Sequence, residues 1–249
     1  MSDELLQGDG QREDESRILK AVQSIAISPK DAKEYVAQIV TKAKLSNPTA
    51  DEHKIQEIVA KQIVTRYSKL CAMSGGATAL SGVIPGIGTA IAMVGGGLTD
   101  ATISLKLQVD MTMCIAEAFG WDLTNEDARH MSFLIAACGA LEKVGIREGT
   151  ALASKAGVKM INQYLQGAAL QTIKELFKKI GINFARTSLQ KAIPFGVGVA
   201  IGSGVNYAFT KYVGNSAMKW FVIEREMKNQ PDVISAAAES AVDLAGNSV

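Results

Sequence analysis

Ile84-Pro85-Gly86-Ile87-Gly88-Thr89-Ala90-Ile91 returns later in the chain, with one residue inserted, as Ile193-Pro194-Phe195-Gly196-Val197-Gly198-Val199-Ala200-Ile201. Both copies lie in stretches without a charged residue, Leu70 to Thr99 and Ala192 to Thr210. A proline at a helix start costs nothing, because the first helical N–H groups have no intrahelical partner. Gly86 and Gly88 in the first copy, like Gly196 and Gly198 in the second, have no side chain to hold a neighbouring helix away. The repeat reads as two closely packed, apolar helix starts, such as an old internal duplication would leave. It argues for a helical fold and says nothing of a reaction.

Working outward, 249 residues with 47% hydrophobic and 20% charged side chains can build one large domain or two small ones. Five prolines, few aromatics and abundant alanine and leucine favour helix over sheet. The net charge of +1 gives no global field toward nucleic acid. Cys71, Cys114 and Cys138 lie in apolar helical surroundings at spacings that fit no zinc pattern, so they are expected to be buried free thiols. The start Met1-Ser2-Asp3-Glu4 is acidic and polar where a secretory leader is basic and then apolar. A cytoplasmic location is the expectation.

The periodicity predicts an all-α fold: a single multi-helix bundle with two central apolar, glycine-rich helices. Residues 1–12 are expected to be disordered, and residues 13–69 to form amphipathic N-terminal helices. Ser28-Pro29 marks a capped helix start, with Tyr35, Val36, Ile39 and Val40 on one face of the helix it opens. Ile55, Ile58, Val59 and Ile63 form the stripe of the next. A long helix is predicted from about Gly86 toward Phe119, amphipathic only after Asp100 and ended by Gly120-Trp121-Asp122. On it Lys106 and Asp110, four apart, have the spacing of an exposed ion pair. Thr124 with Asp127 resembles a capping box ahead of Met131, Leu134, Ile135 and Cys138. Shorter helices are expected over 149–165, 168–180 and 183–191. A long one follows from Pro194 to about Lys228, closing a core of 70–228, and a C-terminal helix and tail occupy 229–249.

Neither charge-free run is a clean membrane span. Residues 86–99 give about 21 Å of helix and residues 194–210 about 26 Å, against a hydrocarbon core of about 30 Å. A central helix of a bundle is also apolar all round. Just before the second motif, Lys174, Lys178, Lys179, Arg186 and Lys191 outnumber Glu175. Such a cluster offers contact with anionic lipid headgroups, each basic residue contributing about 1 kcal/mol near the surface.

No catalytic, cofactor-binding or metal site is expected. His53 with Glu57, and His130 with Glu126 and Asp127, supply helix-spaced pairs, but a metal needs a further ligand. No phosphate-loop or serine-hydrolase signature occurs. Asp100 and Asn206 interrupt the apolar runs and must find partners if buried, across the two central helices or as a cap.

Several of these residues carry a family resemblance. The apolar segment ending in Asp100 is followed by Gln108 and then by Phe119-Gly120-Trp121-Asp122. Lys191-Ala192-Ile193-Pro194-Phe195-Gly196-Val197-Gly198-Val199-Ala200-Ile201-Gly202 comes later, then Asn206 and Val213-Gly214. This order resembles the EcsC family of bacterial proteins and, more distantly, the YcjF-like membrane proteins, over about residues 70–225. The resemblance implies a link to membrane or secretion functions and carries no catalytic residues with it. The expectation is a non-enzymatic helical protein that associates, peripherally or reversibly, with membrane lipid or a membrane transport complex. The alternatives are a soluble interaction module that docks partners on its N-terminal helices and, with less behind it, a carrier of an apolar ligand near Asp100 and Asn206.

Overall fold

The Ser28 hydroxyl accepts the Asp31 N–H at 3.1 Å, and Pro29 fills the first helical position behind it. In the structure, a computed structural model that describes residues 18–73, 99–143, 145–146, 151–190 and 198–229, this cap opens the second of eight helices. The described chain begins in α1 (residues 18–25) and continues through α2 (Pro29–Ser46) and α3 (Glu52–Met73). Then come α4 (Thr99–Ala118), α5 (Glu126–Lys143), α6 (Lys155–Gln166), α7 (Ala169–Gln190) and α8 (Gly198–Asn229). No strand occurs among the described residues, and the helices share one hydrophobic core, as the periodicity predicted.

Gly120, at φ +84°, adopts the left-handed conformation that ends α4. Its N–H donates to the Glu117 carbonyl at 3.0 Å, and the Trp121 N–H reaches back to the Ala116 carbonyl at 3.0 Å. The cap of α5 differs from the expectation. Asn125, not Thr124, caps it by accepting the Asp127 N–H at 2.9 Å. Thr124 instead donates its N–H and its hydroxyl to Asp122, which holds that exposed carboxyl below its usual range. The two helices predicted around Gly181 are one, α7. A single interior glycine costs about 1 kcal/mol in a helix and does not by itself end one.

α4 is the axis. Every residue from Thr102 to Ala116 is buried, so the helix is not amphipathic beyond Asp100, as its charged residues suggested. α3, α8, α5 and α2 surround it. α8 packs most extensively against α3, and Gly214 brings it close to both α3 and α4. A Cβ there would sit 2.8 Å from the Met111 sulfur and 2.8 and 2.9 Å from the Val64 methyls. Trp220, Phe221 and Phe177 are the largest fully buried side chains. The Trp220 indole donates to the Gly157 carbonyl at 3.4 Å, tying α8 to α6. The Pro85 and Pro194 motifs, with Gly86, Gly88 and Gly196, lie outside the described residues, as do the expected N-terminal disorder and C-terminal helix. Gly198 is the first residue of α8.

Cys71, Cys114 and Cys138 are buried thiols that form no disulfide, as expected. Burial pushes the Cys114 thiol up to about 12, although the Tyr67 hydroxyl lies 3.6 Å from its sulfur. Thiol reagents at pH 8 are therefore expected to label none of the three in the native protein and all three in denaturant. Labelling of the native chain at a free-thiol rate would contradict the packing of α3, α4 and α5. Gly214→Ala must push Val64 and Met111 apart and is expected to lower the unfolding free energy by about 1–3 kcal/mol in a urea titration.

Candidate functional site

From Thr102 to Met113 the sequence alternates polar and apolar residues at every step, a pattern that in a strand would separate two faces. Here it is wound into a helix, in which residues two apart point about 200° away from each other. The polar side chains therefore divide into two stripes on opposite sides of α4, with members four apart. One holds Thr102, Lys106 and Asp110, and the other holds Ser104, Gln108 and Thr112. Both run through the core.

Lys106 and Asp110 form a salt bridge inside the protein, with 4% and 2% of their surfaces exposed. They are not the surface pair that their spacing suggested. Their neighbours α1–α2 and α3 cover a stripe that would face water in a smaller bundle. The second carboxylate oxygen of Asp110 accepts the Ile27 N–H at 2.8 Å. Burial still pushes the Asp110 carboxyl above its ordinary range, against the pull of Lys106 and Ile27. Tyr67 stands on the same side, its phenol raised well above the usual value by burial and by Cys114 and Asp110.

Along the opposite stripe, Gln108 donates to the Ser104 hydroxyl at 3.2 Å, and Ser104 meets the Cys71 sulfur at 3.4 Å. The Thr112 hydroxyl donates to the Gln108 carbonyl at 2.8 Å. Ser68 Oγ of α3, Gln108 Oε1 of α4 and Thr210 Oγ1 of α8 are buried without a partner among the described residues. Each lies one turn from Val64, Met111 or Gly214, the residues at the three-helix contact.

At the end of α4 a cleft of about 270 Å³ opens between Phe119-Gly120-Trp121-Asp122 and the last turns of α8. Phe119 stacks on Phe221 with ring centres 5.5 Å apart. Arg225 lies over the Phe119 ring and Lys228 over the Trp121 ring, at 5.4 and 4.1 Å. Both cations are engaged by the chain itself: Lys228 pairs with buried Glu224 at 2.6 Å, and Arg225 donates to Gln56 at 2.7 Å. The cleft clasps α4, α8 and α3 together.

A profile of the EcsC protein family matches residues 27–223. The chain belongs to the EcsC family. Nothing in a search of curated proteins or of solved structures matches it. The family match begins in the turn before α2, ahead of the stretch whose motifs carry the resemblance. The EcsC unit therefore includes α2 and α3, and it begins at the residue whose N–H binds Asp110.

Of the residues singled out from the sequence, Lys174, Lys178 and Lys179 stand exposed on α7, while Arg186 lies further along the same helix. Lys191 lies outside the described residues. Asp100 is in the first turn of α4, and Asn206 is half-buried on α8. His130 stands 3.7 Å from Glu126 on the first turns of α5. Among the described residues, no cluster of histidine, cysteine and carboxylates is placed to hold a metal. The buried polar stripes of this EcsC protein were missed by spacing rules, and the alternation from Thr102 to Met113 was the signal available.

Lys106→Met leaves the Asp110 carboxylate buried beside only one N–H and is expected to cost about 3–5 kcal/mol of stability by urea unfolding. Lys106→Met with Asp110→Leu is expected to cost less than the single change, leaving chiefly the unbonded Ile27 N–H, about 1–3 kcal/mol. A double variant worse than Lys106→Met alone would contradict this account.

Proposed function

We propose that this EcsC protein is a non-enzymatic, cytoplasmic helical protein that binds reversibly to the surface of an anionic membrane, alone or beside a membrane transport complex. The cationic outer face of α7 carries the reading. Ile173, Leu176, Phe177 and Ile180 turn inward, and Phe177 packs against Phe133 of α5 with ring centres 6.0 Å apart. That leaves Leu170, Lys174, Lys178 and Lys179 outward, with Leu170 43% exposed. Glu175, the one acid between them, accepts a hydrogen bond from Gln171 at 3.1 Å. A helix with a pinned apolar face and a lysine-rich outer face suits contact with lipid headgroups.

Peripheral rather than spanning contact is supported by helix length: among the described residues, no helix is long and apolar enough to cross a membrane. Lys178→Glu with Lys179→Glu removes two attractions of about 1 kcal/mol each and is expected to weaken binding to phosphatidylglycerol vesicles at least about 30-fold in a flotation assay. Binding that is unchanged, or that high salt leaves intact, would remove α7 from the contact.

A further inference from the structure

The contacts between α3, α4 and α8 fix their directions. Cys71 meets Ser104, and Gln56 at the other end of α3 meets Arg225. Gly214 sits against both Val64 and Met111, and Phe119 stacks on Phe221. α4 and α8 therefore run parallel to each other, and α3 runs antiparallel to both. Met73 at the end of α3, Thr99 at the start of α4 and Gly198 at the start of α8 consequently lie at one pole of the bundle. The aromatic cleft marks the other.

Charge and exposure are divided between these poles. α3 has no acidic residue from Ile58 to Met73, and α8 has none from Gly198 to Ile223. Glu52, Glu57, Glu224 and Glu226 stand in the halves of the two helices that face the cleft. Lys61 and Lys69 are exposed along a groove of about 680 Å³ on α3, with Ile58, Leu70 and Met73 as its apolar floor. Lys211 is exposed on α8 beside the Tyr207 ring. Met73 and Val205, opposite each other by the register of α3 and α8, are 53% and 54% exposed. The sequence leaving this pole after Met73 has no charge before Asp100, and the sequence reaching it at Gly198 has none after Lys191.

We propose that this pole is the part of the protein that enters the membrane surface. Met73 and Val205 reach the boundary of the acyl chains, and Lys69 and Lys211, one to two turns behind them, form a cationic collar at the headgroups. The inference rests on the membrane-binding reading above and adds the orientation of the molecule. An anionic bilayer is the occupant that fits both halves of the pattern, since it supplies hydrocarbon beneath a layer of negative charge. A second copy docking through the same face would bring two acid-free lysine collars together.

The test uses the full chain carrying Met73→Cys, Val205→Cys or Leu45→Cys, each labelled with bimane. Leu45, 78% exposed, is the control: α2 runs antiparallel to α3 and ends toward the cleft pole. Vesicles of phosphatidylglycerol and phosphatidylcholine containing brominated acyl chains are then added. Quenching at positions 73 and 205 but not at 45 is the expected result, with Lys69→Glu and Lys211→Glu together lowering vesicle affinity at least about 30-fold. Vesicle binding without quenching at 73 and 205 would overturn the orientation while leaving membrane binding in place. A bimane shift at those positions that follows protein concentration, without lipid, would overturn it in favour of a second copy. No vesicle binding by the unmodified protein would overturn both readings.

Discussion

Burying α4 on every side is the constraint from which the rest of this fold follows. A helix wholly inside a protein has no water to turn its polar side chains toward, yet every second residue from Thr102 to Thr112 is polar. Helical geometry resolves part of the conflict by gathering those residues into two lines with members four apart, so that neighbours on a line can bond to each other. Lys106 meets Asp110, Gln108 meets Ser104, and Thr112 bonds back to its own helix. What α4 cannot satisfy alone is supplied by its wrapping: the Ile27 N–H comes from the α1–α2 turn and the Cys71 sulfur from α3. The polar core and the order of packing are therefore one arrangement.

Close approach is the second element. Gly214 lets α8 settle against Val64 and Met111, and Gly139 does the same for α5, where a Cβ would come 3.2 Å from the Val213 methyl. Small residues at these crossings allow a bundle to surround a fully occupied central helix without leaving voids. Gly157 has a different constraint. A Cβ there would sit 2.3 Å from the Leu152 carbonyl oxygen, so the start of α6 admits no larger residue without moving backbone. The Gly157 carbonyl also accepts the Trp220 indole, which couples that tight turn to the largest side chain of the core.

Much of this architecture is legible in the sequence because its signals are local. Ser28-Pro29 announces α2, Gly120 ends α4, and Ile55, Val59 and Ile63 of the predicted α3 stripe face the core, with Ile58 half-buried at its edge. The setting of Lys106 and Asp110 is not legible in the same way. A spacing of four specifies that two charges can pair, but what covers the pair is decided by helices distant in sequence. The cap of α5 was misread because two oxygen-bearing residues, Thr124 and Asn125, compete within one turn, and the Asp122 carboxyl captures the first. Of the candidate contact residues, the lysines of α7 could be found from composition. Lys69 and Lys211 come together only once the direction of α8 against α3 is known.

The winding of α4 also sets what kind of change this chain tolerates over generations. A substitution in α4 disturbs one position, whereas inserting or deleting one residue between Thr102 and Thr112 rotates everything beyond it by about 100°. An insertion between Lys106 and Asp110 would take the two off a common stripe, and wherever it fell apolar neighbours would turn toward the places built for polar ones. The length of this segment is thus far more constrained than its composition. Gains and losses of residues belong to the turns, such as the one between α2 and α3, where the Ala50 N–H bonds to the Asn47 carbonyl and the Asn47 N–H to the end of α2.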